Sequence, residues 1–321
     1  MGRILIADDH DALRRGLTRA LREAGNDVEE APNGNAAITL LHESHFDAER
    51  VTVIRPRRGW TSLDLRELWD YRELLYFLVW RDVKIRYKQT ALGAAWVILQ
   101  PLLTTAIFTI IFGHYAHIQT NGEPYALLTF TAILPWMLFA NALALSTRSI
   151  VDNQALVTKV YVPRILIPVA PVLAGLVDMA VGFVVLFGLL VWYGVGVQWQ
   201  IVTLPFFILF AIVTSIAVTL WLSALNVKYR DVQYTVPFLS QAWFFITPVA
   251  YSALIYPPAI RQWIGLNPMA GVVQGFRWSI LGTQAGQVGH LMLFSFGVML
   301  VLLVTGIEYF RRVERSFADV V

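Results

Sequence analysis

The sequence predicts an all-α polytopic membrane protein with six transmembrane helices, an N-terminal interfacial amphipathic helix, and outer re-entrant half-helices between spans five and six. Three observations support this fold class. The chain is 57% hydrophobic and only 15% charged, whereas a soluble domain carries roughly 25% charged residues. Long apolar stretches follow one another after residue 93. A basic and aromatic segment, YFLVWRDVKIRYKQT, directly precedes the first of them.

Residues 1–49 carry a different, soluble α/β pattern. RILIADD is a predicted buried strand, DALRRGLTRALREAG a helix, NDVEEAPNG a second strand and turn, and NAAITLLHESHFD a second helix. This order resembles the first two βα units of a response-regulator receiver domain. Asp8 and Asp9 match the acidic pair that binds a metal ion in that family. The resemblance stops near residue 47, before the strand that carries the phosphoacceptor. Because two strands cannot close a core, we expect a truncated, non-functional segment.

A basic linker at 50–62 leads into a predicted interfacial helix at 63–92. The apolar and polar residues of this helix separate onto two faces, which is typical of a helix lying in the cytoplasmic membrane interface. The alternative is a solvated helix docked on protein. The predicted apolar face consists of Leu68, Tyr71, Leu75, Leu78 and Val79, and the polar face of Arg66, Asp70 and Glu73.

The transmembrane domain covers 93–321. Each candidate span reaches or approaches the ~20 residues needed to cross the hydrocarbon. Lys and Arg occur in alternate loops and in the C-terminal tail, so the positive-inside rule predicts that both termini are cytoplasmic. The candidate spans are 94–115, 125–146, 166–194, 202–225, 236–253 and 289–310.

Two features interrupt the apolar pattern. Residues 254–288 are broken by Pro and Gly, which predicts two short half-inserted helices on the outer side that cap or line a pathway. Asp178 is an acid deep inside a span, where a charge is costly. We expect it to serve helix packing by hydrogen bonding to a neighbouring helix, because a lone acid argues against a proton relay. Gly175 and Gly182 would permit the close approach.

No enzyme signature is present. The sequence contains no HExxH, no GxSxG and no GxxxxGK[ST] phosphate-binding loop. It contains no cysteine, and His114 and His117 have too few further ligands nearby for a metal. We therefore expect no catalytic residues, no metal site and no cofactor bound by this chain. The basic residues cluster before residue 93, which favours anionic lipid over nucleic acid as a partner.

Several segments, in order, resemble the type-2 ABC exporter permeases of the subfamily that exports lipid-linked polysaccharides, namely O-antigen, capsule and teichoic-acid polyol phosphates. The likeness covers roughly residues 60–321. It rests on LRELWDYRELLYFLVWRDVKIRYKQTALGAAWVILQPLL, NQALVTKVYVPRILIP, NVKYRDV, LNPMAGVVQGFR and FRRVERSFADVV.

The resemblance implies a complex of two permeases and two separate ATP-binding subunits in the bacterial inner membrane. ATP and Mg²⁺ would be bound by the partner subunit. The interfacial helix and two loops on the cytoplasmic side would contact that partner, and the two loops would couple ATP hydrolysis to transport. The residues expected to do so are Asn153, Leu156, Lys159 and Arg164 in the first loop, and Tyr229, Arg230 and Asp231 in the second.

The implied cargo is a polysaccharide on a polyisoprenyl diphosphate or similar lipid. Arg81, Lys84, Arg86 and Lys88 lie where the lipid phosphate would approach; the alternative is anchoring to anionic membrane lipids. Arg277 is expected to meet phosphate on exit. Sugar rings stack on aromatics, so the pathway candidates are Trp96, Phe108, Phe112, Trp136, Phe139, Trp243, Phe244, Phe245 and Tyr251; the alternative is membrane-interface belts and helix packing.

Three other functions compete with this one. The same architecture could export another amphiphile, such as a glycolipid or a drug. A polytopic enzyme acting on polyisoprenyl phosphates would need acids or histidines that converge near one membrane face, and the sequence has none. A membrane sensor is indicated only by the receiver-like segment, which lacks its phosphoacceptor.

Overall fold

The chain divides into two compact units, Met1–Leu63 and Asp64–Val321. Both are known from a computed structural model. It describes residues 3–7, 11–23, 25, 27–33, 36–37, 39–40, 65–88, 93–117, 122–159, 162–253, 256–257, 260, 263–282, 285–314 and 317.

The first unit contains a strand–helix–strand motif. Strands β1 (Arg3–Ala7) and β2 (Asp27–Ala31) pair in parallel, and helix α1 (Asp11–Glu23) connects them. The predicted order of these three elements is confirmed. Asp8 and Asp9, together with most of the second predicted helix, lie outside the described residues.

Two helices, α2 (Leu65–Asp70) and α3 (Arg72–Lys88), form the predicted interfacial segment. The expected apolar face is the protected one: Leu78 is buried, its predicted companions are half-buried, and Asp70 and Glu73 are exposed. Helix α3 packs against the third span. Large apolar side chains remain exposed elsewhere on α2 and α3, as expected at a membrane surface. They are Trp69, Tyr76, Phe77, Trp80 and Ile85.

Five helical segments of the described residues are long and apolar enough to cross a membrane. They correspond to the first four predicted spans and the sixth. A π-helix, Thr109–Tyr115, extends the first of them, and short helix α6 (Gln154–Lys159) follows the second. The five are formed by α4 (Gly93–Phe108), α5 (Tyr125–Asp152), α7 (Leu166–Tyr193), α8 (Leu204–Lys228) and α11 (Ala285–Glu314).

The fifth predicted span, 236–253, differs in the structure. Helix α9 (Val232–Ile246) has 15 residues, fewer than the ~20 needed to cross. It ends because Thr247 is extended, with φ −82° and ψ 133°. Thr247 precedes Pro248, and a proline ring disfavours helical backbone in the residue before it. The predicted number of six spans is therefore not confirmed.

Helix α10 (Pro268–Leu281) is a short helix buried inside the bundle, against α5, α8 and α11. Pro268 occupies its first turn, where a missing N–H does no harm. Gly282 ends it with a φ of 69°, a conformation that glycine adopts without strain. Helix α10 lies within 254–288, where two short half-inserted helices were predicted; residues 254, 255, 258, 259, 261 and 262 of this segment lie outside the described residues.

Helix α5 lies at the centre of the bundle and contacts both α7 and α8. Two glycines of α7 face it closely. A Cβ at Gly175 would lie 2.8 Å from Leu138 Cδ1, and one at Gly182 would overlap the side chain of Leu134. The close approach predicted at these glycines is confirmed.

Candidate functional site

Six aromatic rings form a continuous series, called here the aromatic ladder. They come from the first span, α5 and α9, so tertiary packing joins the rings of one helix to those of the next. Successive ring centroids are 5.1 to 5.7 Å apart. All six are among the predicted pathway residues. In order, the ladder is Phe112, Phe108, Phe244, Trp136, Phe139 and Trp243.

The rings of the ladder are buried or half-buried, and one exposed ring adjoins them. Phe245 contacts Phe244 at a centroid distance of 5.6 Å and is 62% exposed. Trp136 and Phe139 are buried, which agrees with the alternative interpretation of helix packing for these two. The rings of Trp96 and Tyr251 lie outside the ladder. Trp96 is exposed on α4, and the Tyr251 hydroxyl donates to the carbonyl oxygen of Phe245 at 2.9 Å.

One face of α9 carries an exposed row of side chains, called here the α9 stripe: Tyr234, Phe238, Gln241 and Phe245. Successive spacings of four, three and four residues place them on one helix face. Sequence analysis missed the first three, although the helical spacing within YTVPFLSQAWFF was an available signal. Aromatic faces beside an amide suit a sugar, whose C–H faces are apolar and whose hydroxyls need hydrogen-bond partners.

Arg277 lies in the core and not at an exit. Each nitrogen of its guanidinium donates to backbone carbonyl oxygens, which belong to Leu128, Pro248, Val249 and Tyr251, at 2.7 to 3.1 Å. The side chain is 3% exposed. The predicted contact between Arg277 and phosphate is therefore wrong, because its donors are occupied and solvent does not reach it. The residue instead fixes the non-helical chain that follows α9.

Asp178 in α7 contacts the interfacial helix. Arg86 donates to its Oδ2 and the hydroxyl of Tyr87 donates to its Oδ1. The Asp178 and Arg86 side chains are only 12% and 23% exposed. Burial and the hydrogen bond to Asp178 raise the pKa of Tyr87, so its hydroxyl stays protonated as a donor. The interaction is a hydrogen-bonded packing contact between helices, of the kind predicted for Asp178.

The four basic residues predicted to meet lipid phosphate fall into two pairs. Arg81 donates to Asn153 Oδ1 at 2.7 Å, and Arg86 is held in the ion pair described above. Lys84 and Lys88 are exposed. Protein acceptors therefore occupy the two arginines, whereas the two lysines present their charges at the surface.

The first predicted coupling loop is held at both ends. Asn153, which ends α5, donates to Ser149 and accepts from the interfacial helix. Leu156 packs against an apolar cluster beneath α6. Arg164 donates to the carbonyl oxygen of Glu314, near the end of α11, at 2.6 Å. The side chain of Lys159 lies outside the described residues.

The second predicted coupling loop joins α8 to α9. Tyr229, Arg230 and Asp231 are all exposed there. Val157 of α6 and Val227, just before this loop, belong to the same buried apolar cluster. The two predicted coupling segments thus lie at the same end of the bundle.

Within the described part of the chain, no group of three His, Cys, Asp or Glu residues could hold a metal ion. The absence of a metal site throughout the chain stays a prediction.

Comparison with known proteins identifies relatives of this chain. A model of the ABC-2 type transporter family matches residues 73–281. The O-antigen export system permease protein RfbA of Myxococcus xanthus is 30% identical over 257 residues, which cover 79% of this chain and 98% of the relative. RfbA of Klebsiella pneumoniae is 25% identical, over 77% of this chain and 95% of the relative. The polysialic acid transport protein KpsM of Escherichia coli is 23% identical, over 74% and 92%.

Proposed function

This chain belongs to the ABC-2 type transporter family, and on that premise we propose that it is the permease subunit of an exporter of lipid-linked polysaccharide. The cargo is of the O-antigen, capsule or teichoic-acid type and moves from the cytoplasmic to the outer face of the bacterial inner membrane. Similarity to an O-antigen export permease over 98% of that relative carries this proposal. The permease is not itself the enzyme; an ATP-binding subunit is the partner that family membership implies.

We propose that two copies of this chain assemble with two ATP-binding subunits, which bind ATP and Mg²⁺. The polysaccharide would pass at the seam between the two permeases. Two observations support a pathway there: the α9 stripe is exposed on the single chain, and the aromatic ladder backs it through Phe244 and Phe245. Lys84 and Lys88 would meet the lipid phosphate, or alternatively anchor the helix to anionic lipid.

The coupling surface is proposed at the cytoplasmic end of the bundle, with both termini on the same side. The distribution of Lys and Arg among the loops supports this orientation. The exposure of Arg230 and Asp231 supports contact with charges on the ATP-binding subunit. Tyr229 belongs to the same loop and would join this contact. The second part of the contact would be formed by the first loop, through Asn153, Leu156, Lys159 and Arg164.

Mild-detergent purification of the tagged chain from its native membrane, with mass spectrometry of the proteins that accompany it, tests the partner. We expect a stoichiometric ATP-binding subunit. Deletion of the gene tests the cargo: lipid-linked polysaccharide should accumulate inside the cell and disappear from the surface. A chain that purifies alone and a deletion strain with unchanged surface polysaccharide would contradict the proposal. Loss of drug or glycolipid efflux instead would identify a different amphiphile.

A further inference from the structure

The interfacial helix α3 is attached to the bundle at two separate points. Arg81 reaches Asn153 at the end of α5. Five and six residues later, Arg86 and Tyr87 both reach Asp178 within α7. We propose that Arg81, Arg86 and Tyr87 are positioning residues through which α3 carries movement of the coupling loop into α7, an inference that rests on the proposed function.

At Asp178, helix α3 is bound to the protein itself, and anchoring of α3 to lipid would not need this contact. A carboxylate inside a span is unfavourable unless it is paired. Here one residue supplies a charged donor and the next a neutral donor, and each binds a different carboxylate oxygen. Because the pair is largely shielded from solvent, screening weakens it little. Helix α3 and helix α7 are therefore expected to move as one body.

The attachment at Asn153 connects that body to the coupling loop. Asn153 is the last residue before α6, so any displacement of α6 by the partner subunit acts on it first. Its side chain both closes the end of α5, through Ser149, and accepts from Arg81. The amide therefore joins α5, the coupling loop and the interfacial helix at one position.

This arrangement also explains why two arginines of the basic segment bind protein acceptors and not lipid phosphate. An arginine that only anchored the helix would keep its charge exposed, as Lys84 and Lys88 do. Arg81 and Arg86 instead donate to side chains of two different helices, Asn153 at the end of α5 and Asp178 in α7. Arg81 also pairs with Asp82, its neighbour on α3. The arginine fork suits such fixed contacts, whereas lysine suits a mobile contact with phosphate.

The first test replaces the buried ion pair by a neutral one, Arg86→Gln with Asp178→Asn. This change leaves no unpaired charge inside the protein, so the complex should still assemble. The matched control is Arg312→Gln with Glu308→Gln, which neutralises an exposed pair on α11. The measurements are complex assembly, melting temperature, ATP hydrolysis per complex and surface polysaccharide per ATP hydrolysed.

We expect the buried-pair variant to assemble and hydrolyse ATP, with export per ATP lowered roughly fivefold or more, the lower range of coupling between distant sites. The control should export normally. Tyr87→Phe, which removes a single hydroxyl, should give an intermediate loss. Export that falls only in proportion to the amount of assembled complex would overturn the proposal and leave a purely structural role.

The second test depends only on nucleotide, so it separates this inference from the nature of the cargo. The chain has no cysteine, so spin labels can be placed uniquely at Ile85 on α3 and Val184 on α7, both exposed. We expect their distance to stay constant when ATP is added, while the distance from Ile85 to Leu293 on α11 changes. In the buried-pair variant the distribution of distances between Ile85 and Val184 should broaden. A first distance that changes equally in wild type and variant would refute the rigid attachment.

Discussion

The guanidinium of Arg277 donates to the carbonyl oxygen of Val249 at 2.7 Å, and this bond ties a buried helix to a stretch of chain that is not helical. Backbone groups without helical partners survive at membrane depth only when the protein itself satisfies them. The same side chain also donates to Pro248 and Tyr251. Helix α9 can therefore end at Ile246 without leaving the buried carbonyl groups that follow it unpaired.

Replacing Arg277 by lysine should destabilise the protein strongly. Lysine keeps the charge but cannot reproduce the fork that reaches several carbonyls at once, and each hydrogen bond to a charged group contributes about 1.5–3 kcal/mol. The measurement is the melting temperature in detergent, with Arg72→Lys, a change at an exposed arginine of α3, as the control. Equal melting temperatures for the two variants would show that Arg277 is not a structural donor.

Gly275→Ala should destabilise the bundle, because its Cβ would overlap the ring of Phe207 on α8. Overpacking of this kind costs about 1–3 kcal/mol. Gly297→Ala on α11 is the matched control, since nothing lies within 4 Å of its Cβ; it should be neutral or slightly stabilising. Thermal unfolding of both proteins checks the difference, and an unaffected Gly275→Ala protein would contradict the packing of α10 on α8.

Phe245→Ala should lower polysaccharide export without lowering protein amount. Phe206→Ala on α8 is the matched control, because that ring is also more than half exposed and also packs against phenylalanine rings, those of Phe207 and Phe296. Loss of a stacking surface should act only at Phe245, where the pathway is proposed. Surface polysaccharide normalised to permease amount is the measurement, and equal losses in both variants would argue for a general effect of exposed aromatics.

Arg230→Ala combined with Asp231→Ala should uncouple ATP hydrolysis from export. Both residues are exposed, so the folded permease should accumulate normally while its contact with the ATP-binding subunit weakens. Hydrolysis and export are measured in the same membranes, with Arg312→Ala and Glu308→Ala on α11 as the charge-matched control. Unchanged transport by the loop variant would remove these residues from the proposed coupling surface.

Local signals predicted much of this fold. Five apolar runs became helices long enough to span a membrane, and Pro268 and Gly282 mark the beginning and end of α10. The early end of α9 was also encoded locally, because Pro248 restricts Thr247. The prediction of a span over 236–253 followed hydropathy, which is insensitive to this restriction.

Local signals did not predict which residues of distant segments contact one another. Sequence analysis selected Phe108, Trp136 and Phe244 by residue type, and only packing brought them into one ladder. It assigned Arg86 and Arg277 to phosphate, yet the structure gives both of them protein acceptors. A basic residue in a membrane protein seeks any acceptor within reach, and sequence does not reveal which acceptor is near.

The sequence by itself thus determined the membrane class, the placement of most spans and the limits of α10, because hydrocarbon selects apolar length and because proline and glycine act on their own backbone. Only the tertiary structure decided that Asp178 binds Arg86 and Tyr87, that Arg277 is enclosed, and that the aromatic rings meet. Those outcomes depend on the geometry of packed helices, which joins residues more than ninety positions apart in the chain.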